Sequence, residues 1–256
     1  MVSHLPPEIG RCRYLIPMDS DTCRWSVFLT ADEVFTRAAE LIAAAADASI
    51  GKGGRFRIVL SGGRTPPLIY AKLKRISTDW GAWDVFFSDE RCLPSGHADR
   101  NDRLAWDTWF ARLISTTKPR VYSIPAELGP ERGADAYAQL IRDIDTFDFA
   151  LLGLGEDGHT ASLFPGGAWK LAANVPAAIP VYGAPKAPPE RVSLSPWRLS
   201  AISTVVFVVV GAEKRAAIAA WRAGADLPPE AIRPANGVDV LLDTHAAGSL
   251  LSPSSC

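Results

Sequence analysis

Asp157 and His159 stand two residues apart in the segment GLGEDGHTASLF, Gly153 to Phe164. A histidine beside a carboxylate is a candidate general base, because the unperturbed imidazole pKa of about 6.5 lies close to working pH. The pair follows an apolar run, Phe149, Ala150, Leu151 and Leu152, that reads as a short strand buried on both faces. In an open α/β sheet the place just beyond the carboxyl ends of strands is where ligands bind. The plainer alternative is a helix-capping aspartate and a surface histidine that together fill a turn.

A second candidate is SGGRTP, Ser61 to Pro66, which joins the apolar Ile58, Val59 and Leu60 to a helix. Pro66 and Pro67 suit a first helical turn, whose amides have no intrahelical acceptor. Gly62 and Gly63 let backbone amides approach an anion, Ser61 and Thr65 add hydroxyl donors, and the helix dipole contributes about 0.3–1 kcal/mol toward a negative ligand. The spacing is neither a Walker loop nor GxGxxG, so a nucleotide is not implied. The alternative is a tight glycine turn with Thr65 as N-cap.

Asp89, Glu90 and Arg91 follow a further strand, with His97 and Asn101 later in the same loop. Arg91 can hold a carboxylate, phosphate or sugar oxygen with its planar fork, which makes Asp89 and Arg91 candidate substrate contacts; a solvated charge run is the alternative. His97 and Asn101 read as residues that shape the loop and cap the next helix rather than as catalysts. Lys214 falls in the first turn of a helix after Val210 and Gly211. A cation there opposes the helix dipole unless an anion is bound, which favours a phosphate contact.

The elements that must position these groups alternate. Thr30-Ala31-Asp32-Glu33 is a capping box, and Val34, Ala38, Leu41, Ile42 and Ala45 continue it at helical spacing until Gly51, Gly53 and Gly54. Strands are expected at Ile58–Leu60, Trp83–Phe87, Val121–Ile124, Phe149–Leu152, Arg191–Leu194, Val205–Val210 and Val238–Leu242. Helices are expected through Tyr70 and Leu73, from Asn101, from Pro130 to Ile144, from Ala212 to Trp221, and after a capping Asp243. Ser88 to Arg100 reads as a polar loop, and the Pro- and Ala-rich stretch Ala168 to Pro189 as an irregular crossing or small insertion. This order implies a three-layer α/β fold with a mostly parallel sheet flanked by helices. Residues 1–24 read as an extended N-terminal segment and residues 25–256 as a single domain.

Composition narrows the function classes. The 256 residues are 48% apolar and 21% charged with a net charge of −1, so nothing in the overall field favours nucleic acid or a membrane surface as partner. No apolar run approaches the roughly 20 residues of a membrane span, and the N-terminus lacks the order of a signal peptide. Cys12, Cys23, Cys92 and Cys256 have neither CxxC spacing nor histidine pairing, so no metal site is expected and a reduced cytoplasmic protein is the simplest account.

Several of these segments resemble one family. DERCLPSGHADRN is similar to the DERxVPxxHxDSN segment of 6-phosphogluconolactonases, and FALLGLGEDGHTASLFPG to that family's LLGxGxDGHTASLFPG. SGGRTP, PPERVSL (Pro188 to Leu194) and VVVGAEK resemble its other motifs in the same order, from about Arg55 to Arg222. The resemblance implies a phosphosugar-isomerase-like, Rossmann-like fold shared with glucosamine-6-phosphate deaminases. It also implies hydrolysis of 6-phospho-D-glucono-1,5-lactone to 6-phosphogluconate, in the oxidative pentose phosphate pathway, without a cofactor. By the same resemblance His159 is the base that activates water, Ser61, Gly62, Gly63 and Lys214 belong to the phosphate site, and Arg91 and Arg191 line the substrate. The partner implied is a small phosphorylated sugar lactone, and the protein is expected to be a monomer or weak homo-oligomer. Arg100 departs from the pattern by standing where the family has Ser.

The chemistry accords with that reading. A lactone is an activated ester, so water must lose a proton and the carbonyl oxygen must be stabilised as it becomes an anion. With no GxSxG elbow in the sequence, direct attack by water is expected rather than an acyl-enzyme. Amino-sugar phosphate deaminases of the same fold continue the motif as GHIAFNEP, with a glutamate five residues past the histidine, where this chain has Phe164. A non-catalytic sugar-phosphate regulator is the other rival, and it would be expected to lose the histidine that is present here.

Overall fold

The β-branched run near residue 205 forms the middle of a parallel sheet. In the computed structural model, which describes residues 14–16, 23–167, 169 and 176–248, eleven strands form two sheets. The strands before the middle of the chain are β1 (Tyr14–Ile16), β2 (Cys23–Phe28), β3 (Phe56–Leu60), β4 (Trp83–Phe87), β5 (Asp89–Arg91) and β6 (Arg120–Val121). Those after it are β7 (Phe147–Leu152), β8 (Ala178–Val181), β9 (Arg191–Leu194), β10 (Ile202–Val209) and β11 (Val238–Asp243). The large sheet has the order β1-β2-β11-β10-β7-β3-β4-β6. All its neighbours are parallel except β1, which runs antiparallel to β2. Strands β5, β9 and β8 form a small antiparallel sheet.

Among the described residues seven α-helices accompany them: α1 (Ala31–Gly51), α2 (Pro66–Leu73), α3 (Asn101–Thr108), α4 (Pro130–Leu140), α5 (Pro196–Ser200), α6 (Arg215–Arg222) and α7 (Thr244–Ala247). The capping box that starts α1 is formed in full, with Glu33 N donating to Thr30 Oγ1 at 3.2 Å and Thr30 N to Glu33 Oε2 at 3.1 Å. Its buried stripe, Val34, Ala38, Ile42 and Ala46, repeats every four residues and lies across β11, β10, β7 and β3. Asp243 caps α7 as its position in the sequence predicts, accepting from Ala246 N at 2.7 Å. None of the described helices is long and apolar enough to cross a membrane.

The winding of the large sheet reverses between β3 and β7. From β3 the chain moves outward through β4 to β6; from β7 it moves the other way through β10 and β11. The loops leaving the adjacent ends of β3 and β7 therefore diverge and open a crevice between them. SGGRTP leaves β3 there, and GLGEDGH leaves β7.

The structure corrects several sequence-based expectations. Asp89–Arg91 is a strand, because β9 supplies an antiparallel partner a hundred residues away, Asp89 opposite Ser193. The stretch expected to be irregular contributes β8, while residues 168 and 170–175 lie outside the described part. Arg191–Leu194 joins the small sheet rather than the parallel one. β6 stops at Val121, and α4 ends at Leu140, where bonds from Arg142 N to Gln139 O and from Ile144 N to Ile141 O replace the helical pattern.

The turn from β5 into α3 rests on two buried charges. Glu90 is fully buried and accepts from the amides of Arg91 (2.9 Å), Asn101 (2.8 Å) and Asp102 (3.0 Å), so it satisfies the orphan donors at the start of α3. The Arg100 guanidinium lies 3.8 Å from Glu90, pairs with Asp102 at 3.0 Å and Glu127 at 2.8 Å, and donates to the Leu93 and Ile124 carbonyls. Arg100 thus fixes the loop from behind. Burial pushes the Glu90 carboxyl up to about 7, against the three amides that favour its charged form.

Two outcomes are expected. Trp109 packs within 6 Å of Trp80, Trp83, Tyr70 and Phe110, so Trp109→Ala should cost about 3–5 kcal/mol in urea unfolding. A cost below about 1 kcal/mol would show that the cluster does not carry this end of the sheet. For Glu90 the folded pKa lies above the ordinary 4.5, so its stabilising contribution is full below that pH and is lost as pH rises through about 7. Relative to wild type, Glu90→Gln should therefore gain stability across that window, read from urea midpoints at a series of pH values. A pH-independent difference would overturn this.

Candidate active site

Beyond Leu152 the chain folds back on itself in a tight turn. Gly158 N donates to Gly155 O at 3.1 Å and Gly155 N to His159 O at 2.7 Å. The turn brings the Asp157 carboxylate onto Nδ1 of His159, and Oδ1 also accepts from the His159 amide at 3.3 Å. Only glycine fits at position 155, since a Cβ there would lie 2.1 Å from His159 Nδ1 and 2.5 Å from Asp157 Oδ1. No helix follows for Asp157 to cap: Thr160 and Leu163 pair as an isolated antiparallel bridge. The helix-capping part of the plainer sequence reading therefore fails, while the pair does sit in a turn.

Partial burial pushes the Asp157 carboxyl up, but its hydrogen bond to His159 and the charge of that ring outweigh this and hold it below its ordinary value. An ionised Asp157 keeps the ring proton on Nδ1 and leaves Nε2 as the basic nitrogen. The Phe164 ring packs 4.8 Å from the imidazole at an interplanar angle of 40°, and the Arg191 guanidinium carbon sits 5.7 Å from the centroid of the same ring. One aromatic side chain thus touches both the candidate base and a candidate substrate arginine.

The opposite wall comes from the loop after β3. Gly62 is pressed against Asn101, so that a Cβ at 62 would meet Asn101 Oδ1 at 1.8 Å. Asn101 Nδ2 in turn donates to the Asp89 carbonyl at 2.8 Å, which locks the SGGRTP loop to β5 and to the start of α3. Ser61 lines the cavity, but its hydroxyl donates to the Leu151 carbonyl at 2.9 Å, stitching β3 to β7. Its hydroxyl hydrogen, expected from sequence to face an anion, is used by the sheet instead. Thr65 holds the N-cap position of α2, as the alternative expected, but makes no capping bond with its side chain. Both oxygens of Asp89 are taken, by Ser88 Oγ at 2.9 Å and Ser162 Oγ at 2.6 Å, which ties β5 to the segment after His159.

These walls enclose a cavity of about 520 Å³ that holds Asp157's partner His159 together with Gly62, Gly63, Thr65, Asp89, Arg91, Asn101, Arg191 and Lys214. Its charge is dominated by cations. Arg191 is buried, and its Nη2 donates to the Lys186 carbonyl at 2.8 Å and its Nε to that of Pro188 at 3.2 Å. Burial pulls its pKa below the ordinary value, opposed by Asp89 and reinforced by Arg91. Lys214 closes a 3₁₀ turn, Ala212–Lys214, directly ahead of α6, rather than sitting inside the helix. Burial likewise lowers the Lys214 ammonium, against Glu156 and Glu213 and with further repulsion from Lys186 and Arg64.

His97 lies apart, half exposed and not among the cavity residues; its Nδ1 accepts from the Asp99 amide at 3.1 Å, and Arg91 donates to the Asp99 carbonyl. Arg64 and Lys186 are the cavity cations that sequence reasoning passed over. Arg64 stood inside a motif already singled out, whereas Lys186 sits in a Pro-rich stretch with no period to place it. Among the described residues no group of three or more His, Cys, Asp and Glu side chains could hold a metal ion.

Comparison with known proteins agrees with this fold. Residues 29–242 match the family model of glucosamine-6-phosphate isomerases/6-phosphogluconolactonase. The 6-phosphogluconolactonase of Nostoc sp. is 33% identical over 232 residues, which cover 86% of this chain and 94% of that one. The 6-phosphogluconolactonase-like protein 1 of Saccharomyces cerevisiae is 39% identical over 178 residues, and there the match spans 64% of this chain and 55% of the relative. The crystal structure of 6-phosphogluconolactonase from Thermotoga maritima superposes with a TM-score of 0.76 at 26% identity, covering 86% of this chain and 99% of that one. With most of its length inside the family model, the chain is an enzyme of the glucosamine-6-phosphate isomerase/6-phosphogluconolactonase family.

Proposed function

We propose that the protein hydrolyses 6-phospho-D-glucono-1,5-lactone to 6-phospho-D-gluconate in the oxidative pentose phosphate pathway, with His159 activating the water. The observation that carries this is the Asp157–His159 pair set at the edge of a cavity lined by five cations. His159 Nε2 takes a proton as water adds to the lactone carbonyl carbon. The tetrahedral oxyanion is stabilised by Arg91, and the ring oxygen leaves as a hydroxyl, recovering the proton from the imidazolium. The phosphate lies between the Ser61 to Thr65 loop, Lys214 and Arg191, with loop amides rather than the Ser61 hydroxyl as donors. Charge balance supports it: partly desolvated cations that repel one another are stabilised by a bound dianion.

A deaminase on the same fold is disfavoured by one contact. Where that motif carries a glutamate, Phe164 packs its ring on His159, so the carboxylate needed for a ring-opening proton relay is replaced by an apolar surface. The partly buried thiol of Cys92 suits a reducing compartment such as the cytoplasm.

The direct test follows acid release from freshly generated 6-phosphogluconolactone, corrected for spontaneous hydrolysis. His159→Asn should fold normally and lower kcat by about 10²–10⁴-fold; a variant with wild-type kcat would remove His159 as base. Asp157→Asn should lower the rate and alter the acidic limb of the pH profile, because the orienting carboxylate is otherwise charged down to pH values below the ordinary range. An unchanged limb and rate would dismiss that role. Lys214→Ala should raise KM for the phosphorylated lactone with a smaller change in kcat, while leaving unphosphorylated glucono-1,5-lactone, a poor substrate, nearly unaffected. Equal losses on both lactones would place Lys214 outside the phosphate site.

A further inference from the structure

Lys214 has four rotatable bonds, so where its ammonium goes depends on what holds its backbone. The 3₁₀ turn that carries it begins at Gly211, which adopts φ +99°, and is closed by Lys214 N donating to Gly211 O at 3.1 Å. The turn is fastened from behind at two points. Gly211 N donates to Asp243 Oδ1 at 3.1 Å, the same oxygen that caps α7 through Ala246 N at 2.7 Å. Arg215 Nε donates to the His245 carbonyl at 2.6 Å. Lys214 lies between these two fastenings. Asp243 is itself buried at the end of β11, next to β10 in the sheet, with His245 Nδ1 3.6 Å from its second oxygen.

We infer that Asp243, which is not among the residues lining the cavity, is a positioning residue for phosphate recognition: through the Gly211 amide its carboxylate fixes the turn that presents Lys214. The inference rests on the lactonase reading and on Lys214 as a phosphate ligand. An aspartate at the end of β11 is needed anyway to start α7, but capping requires one acceptor bond and uses no partner in the turn after β10. The second bond, to Gly211, is what ties the capped helix to the lysine turn. Asparagine keeps an acceptor oxygen for both amides, whereas alanine removes both bonds.

The test compares Asp243→Ala and Asp243→Asn, each with and without Lys214→Ala, on the phosphorylated and unphosphorylated lactones. Asp243→Ala should raise KM for the phosphorylated lactone by about five- to tenfold, the weight of one lost hydrogen bond, with kcat changed less. It should weaken competitive inhibition by inorganic phosphate by a similar factor, and Asp243→Asn should restore most of both. In the Lys214→Ala background Asp243→Ala should add nothing, since the two act through one contact. Full additivity, or equal loss on both lactones, would reduce Asp243 to a structural cap and overturn the inference. Should Asp243→Ala fail to fold, Arg215→Gln removes the other fastening at the surface and should raise the same KM about two- to fivefold; an unchanged KM overturns the inference as well. If wild type does not accelerate lactone hydrolysis at all, the functional reading fails first, and that result is read independently of any variant.

Discussion

Leu60 and Leu151 stand side by side in parallel register at the point where the sheet's winding reverses, and the site depends on that pairing. Because the next crossovers lead away in opposite directions, the two loops that follow have no helix between them and can face each other across a gap. The Ser61 hydroxyl extends the pairing one step beyond the last backbone bond, by binding Leu151 O. That bond takes a hydroxyl from the ligand and gives the crevice a fixed width. The chain's other site elements, the turn after β10 and the small sheet carrying Arg91 and Arg191, then close the crevice from its two ends.

The small sheet answers a different physical problem. Two arginines and an aspartate must be held at the wall of a cavity without neutralising one another completely. Asp89 has both oxygens bound to serine hydroxyls, and Arg191 spends two donors on backbone carbonyls, so neither collapses onto the other as a closed ion pair. The cost is a buried cation with its pKa depressed, an instance of function drawing on stability. Glu90 and Arg100 show the same economy one layer deeper, where charges are used to terminate a helix instead of binding a ligand.

Much of this was legible in the sequence wherever the cause is local. The capping box at Thr30, the aspartate cap at Asp243 and the apolar strands leading into both loops depend on neighbours within a few residues. The glycine–Asp–Gly–His segment could be placed at a strand end for the same reason. What could not be read depends on partners far along the chain. Asp89–Arg91 looks like a charged loop until Ser193 and Arg191 arrive opposite it. Arg100 looks like a substrate-side anomaly until Glu127 and the Ile124 carbonyl are found behind it. Ser61 has the composition of an anion donor, and only the neighbouring strand reveals where its proton goes. Lys186 carries no local signal, since its neighbours are prolines and alanines that set no face.

Among the glycines of the two loops Gly63 and Gly158 have positive φ, and those without it divide into two physical kinds. At Gly62 and Gly155 a single methyl group would occupy space already held by Asn101 Oδ1 or by the His159 ring, whereas at Gly153 an added Cβ meets nothing within 4 Å. The first kind is a matter of volume, and no backbone adjustment short of moving the site itself relieves it. Natural variation and random mutagenesis should therefore keep 62 and 155 as glycine on grounds of volume for as long as the base and the wall stay where they are, whereas at 153, on the cavity wall, no protein atom stands in the way. A family member found with a side chain at 62 or 155 is one in which the neighbouring asparagine or histidine has moved or been replaced, which makes these two positions a signature of whether the site is intact.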